Sequence, residues 1–131
     1  MFTYNEDIFS DMHKDAYGFR PRGHEFYDAA PERKQEIWDS VCDDVEREIE
    51  RQRVAQDAAV AAFRQQVADM MAMGARDEHQ AKKWIIQGLD ATVNNLMYGG
   101  EWVCFELGLP YTMRKMFDQA CREMRQEMEN V

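Results

Sequence analysis

One stretch of sequence decides the fold: residues 31–74, which read PERKQEIWDSVCDDVEREIERQRVAQDAAVAAFRQQVADMMAMG. Proline suits the first turn of a helix, and from 32 to 73 there is neither glycine nor proline but many alanine, glutamate, glutamine and arginine residues, which are good helix formers. Opposite charges three or four residues apart, such as Asp43 and Arg47, add weak support. Gly74 is expected to end the helix in a left-handed conformation. The sequence therefore predicts one long helix over 31–73.

This helix is too long to be covered by its own domain. About 40 residues at ~1.5 Å each make a rod of ~60 Å, whereas a compact chain of this length has a diameter of roughly 36 Å. The rod must therefore bend, project or pack against a second chain. Its apolar residues form two stripes, Trp38, Val41, Cys42, Val45 and Ile49, then Ala55, Ala59, Ala62, Phe63, Val67 and Met70. We expect two packed halves with a polar middle, and a coiled-coil homodimer along the helix competes with a single bent helix.

A shorter helix is predicted before the long one. It covers roughly 5–16, with Thr3 or Asn5 as its cap, and ends at Gly18 and Pro21. The stretch that follows, to residue 27, shows no helical or strand periodicity.

Glycine, proline and capping residues divide the chain after the long helix. Asp77 with Gln80 three residues later forms a capping-box pattern, which opens a helix that ends near Asp90 or continues loosely to Met97. The remaining elements are a break at Gly99 and Gly100, a short amphipathic turn over 101–107 that ends at Gly108, and a last helix that begins at Pro110. A core stripe on that helix is predicted at Met113, Met116, Phe117, Ala120, Cys121, Met124 and Met128.

These patterns predict an all-α fold. It is a helical bundle built around one long helix, with a short N-terminal helix and a C-terminal helical hairpin. We expect one domain over 1–131, in which 1–30 holds the first helix and an aromatic and arginine-rich loop, 31–73 the long helix, and 77–131 the C-terminal helices. Alternating runs bounded by turn residues are missing, so no strands are expected.

Composition narrows the class of protein. The net charge is -9, from 16 basic and 25 acidic residues, 45% of residues are hydrophobic, and there are 7 glycines, 3 prolines and 3 cysteines. Such values exclude collagen, low-complexity disorder and a disulfide-stapled miniature fold. No apolar run is long enough for a membrane span and no export signal opens the chain, so a cytosolic protein is expected. The three cysteines, Cys42, Cys104 and Cys121, are expected to be reduced and packed in helix faces.

The sequence holds little that suggests catalysis. Its three histidines, His13, His24 and His79, lie far apart, without the spacing of a metal-binding helix face. Phosphate-binding, dinucleotide and common hydrolase motifs are missing. Adjacent carboxylates such as Asp43 and Asp44 point apart on a helix, whereas acid–base catalysis needs converging carboxyl groups. We therefore predict no enzymatic activity, no metal and no cofactor.

The segment 103–117 has the order helix, glycine turn, helix, as in a helix-turn-helix motif. Arg114 and Lys115 would then meet phosphates. However, Arg114 stands where such motifs bury an aliphatic residue, and the charges of the following helix cancel. A plain helical hairpin is favoured, and nucleic acid is not the expected partner.

The first half of the long helix carries a row of acidic residues. Its eight carboxylates are Glu32, Glu36, Asp39, Asp43, Asp44, Glu46, Glu48 and Glu50, against the basic residues Arg33, Lys34 and Arg47. Such a row can imitate DNA phosphates in a basic groove, or it can be an ordinary solvated face. Four of the residues, Asp39, Asp43, Asp44 and Glu46, are candidate partner-binding residues.

The loop 17–27, YGFRPRGHEFY, is the sharpest local signal. Arginine and tyrosine are enriched at interface hot spots, and Pro21 reduces the entropy lost on docking. Tyr17, Phe19, Arg20 and Arg22 are therefore predicted to bind a partner. The competing interpretation is that the loop wraps its own core, with Phe19, Phe26 and Tyr27 against the long helix.

Three blocks of sequence carry a resemblance. Residues 13–22 (HKDAYGFRPR), 74–77 with Trp84, and 105–111 (FELGLPY) resemble small uncharacterised bacteriophage accessory proteins. The resemblance implies a phage product that acts in the host bacterial cytoplasm, and it transfers no catalytic residue. By analogy, the leading hypothesis is a non-catalytic inhibitor that binds a host protein or complex stoichiometrically, such as a bacterial defence (anti-CRISPR-like) or nucleic-acid machine. The alternatives are a helix-turn-helix-like regulator and a phage structural or assembly protein.

Overall fold

The computed structural model describes residues 1–130, and these residues are mostly helical. The elements in chain order are α1 (Phe9–Tyr17), α2 (Glu25–Asp28), α3 (Pro31–Ala72), α4 (Glu78–Gln87), α5 (Val93–Met97), α6 (Gly100–Leu107), a 3-10 turn (Tyr111–Met113) and α7 (Lys115–Glu129). Residues 1–130 contain no strand. The predicted all-α fold around one long helix is confirmed.

Helix α3 runs without interruption along the predicted long helix. Gly74 follows it with a φ of +116°, as its predicted role as a stop requires. Residues 49–58 are all exposed, which confirms the polar middle. The predicted apolar stripes are too long, however: Ile49 is 62% exposed because the buried cluster of that half extends only to Val45. Ala55 and Ala62 are exposed as well.

Contacts within the chain form two compact units, which we call the N-terminal unit (Met1–Val54) and the C-terminal unit (from Ala55 onward). Each unit has its own buried cluster. The N-terminal cluster is Phe9, Phe26, Trp38 and Val41. The C-terminal cluster is Phe63, Ile85, Ile86, Leu96, Val103, Cys104, Leu109, Phe117, Ala120, Cys121 and Met124.

The first helix starts later than predicted. It begins at Phe9 rather than near residue 5, because the Asn5 side chain accepts a hydrogen bond from the Asp7 N–H (2.9 Å) and so closes a turn instead of capping the helix. Gly18, with a φ of +86°, ends α1 and donates its N–H to the Lys14 carbonyl oxygen at 2.8 Å. The predicted stop is therefore confirmed.

The start of α4 follows the sequence closely. Asp77 is the N-cap and accepts the N–H of Gln80 at 2.8 Å, as predicted. The Gln80 side chain accepts the N–H of Arg76 (2.7 Å), one residue before the expected capping-box partner. The predicted looser continuation is a separate helix, α5, which Thr92 and Asn95 open with a complete capping box.

The start of the last helix was predicted wrongly. Pro110 opens a 3-10 turn, and α7 begins only at Lys115. Gly100 packs against the backbone of Arg114, which joins the 3-10 turn to α7. A Cβ on Gly100 would lie 1.6 Å from the Arg114 carbonyl oxygen. The Gly100 N–H donates to Asp118 Oδ1 at 2.9 Å. Gly100 therefore allows α6 to start in direct contact with the segment that leads into α7.

Helix α7 buries a narrower face than its methionine pattern predicts. Phe117, Ala120, Cys121 and Met124 are buried, but Met116 and Met128 are exposed because they lie at the edges of the face. Burial raises the pKa of the Cys121 thiol to about 11. Cys104 is also buried and Cys42 half-buried, all three without disulfides, which agrees with the prediction that the cysteines pack in helix faces.

Candidate functional site

The N-terminal unit contains a cavity of about 460 Å³ beneath the aromatic and arginine-rich loop. Three of the four loop residues predicted to bind a partner, Tyr17, Phe19 and Arg22, line it together with His13, Arg33 and Ser40. The volume falls in the range of roughly 300–1,000 Å³ that is typical of ligand pockets.

Packed aromatic side chains form the floor of the cavity. The rings of Phe9 and Phe26 are stacked with centroids 3.9 Å apart, and Val41 of α3 is buried beside them. Of the three loop aromatics that could wrap the core, Phe26 is buried in it and Tyr27 makes edge contacts with Phe26 (centroids 5.3 Å apart) from a partly exposed position, whereas Phe19 is 51% exposed. Phe26 therefore anchors the loop in the core, whereas Phe19 is exposed, and partner binding by the loop stays a prediction.

His13 holds the loop in place. Its Nδ1–H donates to the Phe19 carbonyl oxygen at 2.7 Å. The ring also makes edge contacts with Tyr17 (centroids 4.7 Å apart) and Phe19 (5.2 Å). In the sequence His13 was considered only as a possible metal ligand, so its role in positioning the loop was not predicted.

The loop arginines differ in their surroundings. Arg20 is held against α1, where it pairs with Asp11 (2.6 Å) and donates to Ser10 (3.0 Å). Arg22 lies over the Phe19 ring, 5.6 Å from its centroid, and forms no ion pair with any described residue. Arg22 is therefore open to an incoming group, whereas Arg20 is already engaged.

A hydrogen bond ties the loop to the acidic row of α3. The Tyr17 hydroxyl donates to Asp44 Oδ2, and this bond, with burial and the Asp44 charge, raises the pKa of Tyr17 to about 12 against the opposing effect of Arg47. Asp44 also pairs with Arg47 at 2.9 Å. The structure thus brings together Tyr17 and Asp44, two predicted residues that lie 27 positions apart.

Arginines neutralise half of the acidic row. Glu36, Asp44, Glu48 and Glu50 pair with Arg33, Arg47, Arg51 and Arg53, respectively. Hydrogen bonds from Arg51, and then from Gln52, lower the pKa of Glu48 to about 2. The charge spacing along α3 is therefore mixed rather than a continuous line of negative charge, which weakens the resemblance to a DNA backbone.

The other predicted carboxylates lie apart from the cavity. Asp39 accepts a hydrogen bond from Gln35 at 2.8 Å. Asp43 and Glu46 are exposed and line a shallow depression with Arg47 and Glu50. Of the candidate residues, the structure thus gathers Tyr17, Phe19, Arg22 and Asp44, and leaves the others as separate surface groups.

The segment resembling a helix-turn-helix is built differently from its prediction. Its turn contains Gly108 with a φ of +70° and then the 3-10 turn. The Arg114 guanidinium stacks over the Tyr111 ring at 4.0 Å and is half-buried. Arg114 is therefore held against the protein surface.

The cavity beneath the loop offers binding chemistry: an open guanidinium, an exposed phenyl ring and hydroxyl groups. Within residues 1–130, no group of three or more metal-ligating side chains converges, and no helix has both the length and the apolar content to cross a membrane. No protein-family model, curated protein or solved structure matches the chain.

Proposed function

We propose that this protein is a non-catalytic inhibitor that binds a host protein through the loop of its N-terminal unit. The resemblance to bacteriophage accessory proteins suggests the setting, a bacterial cytoplasm, and a target in a defence or nucleic-acid machine. Binding would block the target by occupying its working surface, with one inhibitor for each target molecule.

The pairing of Phe19 with Arg22 carries this proposal. An exposed phenyl ring beneath a guanidinium that has no ion partner in the described chain combines two features of interface hot spots. The His13 hydrogen bond to Phe19 and the proline at position 21 hold the loop before a partner arrives. Less conformational entropy is therefore lost on docking.

Asp43 and Glu46 extend the proposed surface. Both are exposed on α3, the helix to which Tyr17 is bonded through Asp44. A partner that meets the loop with carboxylate or apolar groups would meet these carboxylates with basic groups. Complementary charge of this kind raises association rates and specificity more than affinity.

Affinity capture from bacterial lysate tests the proposal with two matched pairs of variants. Phe19→Ala and Arg22→Glu change the loop, whereas Phe2→Ala and Arg64→Glu make the same replacements at other exposed positions. We expect one host protein or complex to be captured by wild type and both controls and lost by both loop variants. With that partner purified, titration calorimetry should saturate at one inhibitor for each partner molecule. The partner's activity should fall in proportion to the fraction that is bound.

Capture of no partner, or equal capture by loop and control variants, would contradict the proposal. Expression of the protein in a bacterium that carries the captured system supplies a functional readout. Phage plating should rise with wild type and with Arg64→Glu, and it should stay at the baseline with Arg22→Glu.

One observation favours a second candidate, nucleic-acid binding by α7. Three of its four carboxylates are engaged: Asp118 accepts the Gly100 N–H, Glu123 bonds His79, and Glu127 pairs with Lys83 at 3.0 Å. The outward stripe of α7 is Lys115, Gln119, Arg122 and Gln126, all exposed.

A salt-dependent gel shift separates the two candidates. Phosphate contacts from Lys115 and Arg122 would give a log–log salt slope of about -2. Arg122→Glu should then abolish the shift while Arg76→Glu, also an exposed arginine of this unit, should retain it. A flat salt response would exclude this candidate and leave the inhibitor proposal unaffected.

A further inference from the structure

The C-terminal unit holds a second cavity, of about 450 Å³, that the sequence did not single out. Four aromatic side chains and two polar ones line it: Tyr98, Trp102, Phe105, Tyr111, Glu101 and Gln56. Helix α6 supplies Glu101, Trp102 and Phe105, and its buried residue Cys104 also lines the cavity, as does Leu109.

Three of the four rings are exposed, whereas Trp102 is half-buried against the C-terminal cluster. Tyr98 is 71% exposed, Phe105 82% and Tyr111 56%. Across residues 1–130, no stacked or edge contact joins two of the four rings, whereas Phe9 and Phe26 of the N-terminal unit stack directly. Exposed apolar surface gathered around one cavity marks a binding site rather than scattered surface residues.

The charge of the cavity favours a cationic occupant. Among the described lining residues, Glu101 is the charged one. Helix α6 has no basic residue. Because aromatic faces and a carboxylate both attract positive charge, the lining repels phosphates and suits a cation.

Tyr111 already shows how one ring of the site takes a guanidinium. The Arg114 side chain lies 4.0 Å from the ring centroid, and its Nη1–H donates to the Tyr111 carbonyl oxygen at 3.2 Å. These two contacts hold the Arg114 side chain on Tyr111. The faces of Tyr98, Trp102 and Phe105 have no such cation in the described chain.

We propose that this cavity binds an arginine side chain presented by a partner protein. The guanidinium would stack among the rings of Tyr98, Trp102 and Phe105, since Arg114 already covers Tyr111, and it would pair with the Glu101 carboxylate. Arginine fits better than lysine because its planar group stacks on aromatic faces and bonds a carboxylate through two N–H groups. This site is independent of the loop in the N-terminal unit.

An NMR titration tests the site with a defined probe, N-acetyl-arginine N-methylamide. The indole N–H of Trp102, assigned with Trp102→Phe, is the reporter. We expect saturable shifts with a dissociation constant on the order of 1–10 mM, since one desolvated cation–π contact and one ion pair are weak alone. The citrulline analogue, which has the same shape without charge, should bind at least about tenfold more weakly.

Two pairs of variants locate the binding. Phe105→Ala and Glu101→Gln should each weaken arginine binding at least about fivefold. Phe2→Ala, also an exposed phenylalanine, and Glu106→Gln, also an exposed glutamate of α6, should leave it unchanged. Because Phe105 is so exposed, its variant should keep the wild-type amide spectrum, so a loss of binding cannot be a loss of fold.

Three outcomes would overturn the proposal. The first is the absence of any Trp102 shift with the arginine probe. The second is equal binding of citrulline or of N-acetyl-leucine N-methylamide, which would make the cavity merely apolar. The third is an equal effect of Glu101→Gln and Glu106→Gln, which would show that Glu101 contributes general negative charge and no direct ion pair.

Discussion

The two units of this protein are stabilised in different ways. The buried cluster of the N-terminal unit has four residues, three of them aromatic. The buried cluster of the C-terminal unit has eleven, mostly aliphatic and sulfur-containing residues from α3 through α7. Both units have polar contacts between distant residues, but in the N-terminal unit these contacts supplement a much smaller core.

The polar contacts of the N-terminal unit join its first residues to α3. The Gln35 side chain accepts the N–H of Thr3 at 2.7 Å and donates to its hydroxyl at 2.9 Å. Lys34 pairs with Glu6, and Tyr17 bonds Asp44. Contacts that are exposed in this way stabilise little, so this unit should open more readily than the C-terminal one. Four predictions test the contrast, in order of expected effect.

Gly100→Ala should have the largest effect. The new Cβ would meet the Arg114 carbonyl oxygen, a backbone atom that no side-chain rotation can move away. We expect a loss of at least about 5 kcal/mol in the free energy of unfolding of the C-terminal unit. Amide hydrogen exchange should show α4 through α7 unprotected while the amides of α1 stay protected. Gly23→Ala, where the Cβ meets nothing, should be nearly neutral. Simultaneous loss of protection in both units would show that they unfold as one.

Phe26→Ala should destabilise the N-terminal unit by about 3 to 5 kcal/mol, because it removes the ring stacked on Phe9 from a cluster of four residues. Exchange should quicken at α1 and leave the buried amides of α7 unchanged. Tyr27→Ala, which removes an exposed neighbouring ring, is the control and should have a much smaller effect. Equal effects of the two variants would mean that the small cluster does not hold this unit together.

Asp118→Ala should destabilise the C-terminal unit by about 2 kcal/mol, since the Gly100 N–H at the start of α6 would lose its charged acceptor. Asp118→Asn keeps an acceptor oxygen and should lose less. Asp69→Ala on the exposed face of α3 is the control, with an expected change within about 0.5 kcal/mol. Chemical denaturation measures all three, and a neutral Asp118→Ala would show that water replaces the bond.

The smallest effect is expected on the pH dependence of the N-terminal unit. The folded pKa of Tyr17 is raised from 10.0 to about 12, so the bond to Asp44 stabilises the unit below pH 10 and is lost as pH rises towards 12. NMR titration of the Tyr17 ring should report this pKa. Asp44→Asn should return it towards 10, whereas Asp43→Asn, the adjacent carboxylate, should not. An unshifted Tyr17 in the wild type would remove the link between loop and acidic row.

The sequence predicted the elements whose signals are local. Helix α3 follows from a stretch of 42 residues that is rich in good helix formers. Gly18, Gly74 and Gly108 adopt the positive φ expected where a helix stops, and Asp77 caps α4. Each signal depends on residues within one or two turns, so the sequence contains all of it.

Features that depend on distant residues were missed or only half predicted. The burial of Phe26 and the exposure of Phe19 could not be separated, because the stacking partner, Phe9, comes from α1. The gathering of Tyr98 and Tyr111 around one cavity with α6 has no sequence period. Gly99 and Gly100 were interpreted as a helix break. In the structure, position 100 requires glycine because a Cβ there would clash with the Arg114 carbonyl oxygen.

The sequence by itself determined that the chain is helical, where its long helix begins and ends, and that its middle is polar, because backbone propensity and caps act over a few residues. Only the tertiary structure decided which side chains are free to bind. Arg20 and Arg22 are alike in sequence, but Asp11 engages one and leaves the other open. Whether a polar or aromatic side chain is available for binding depends on which groups lie within a few ångströms of it. Those neighbours come from residues that are distant along the chain.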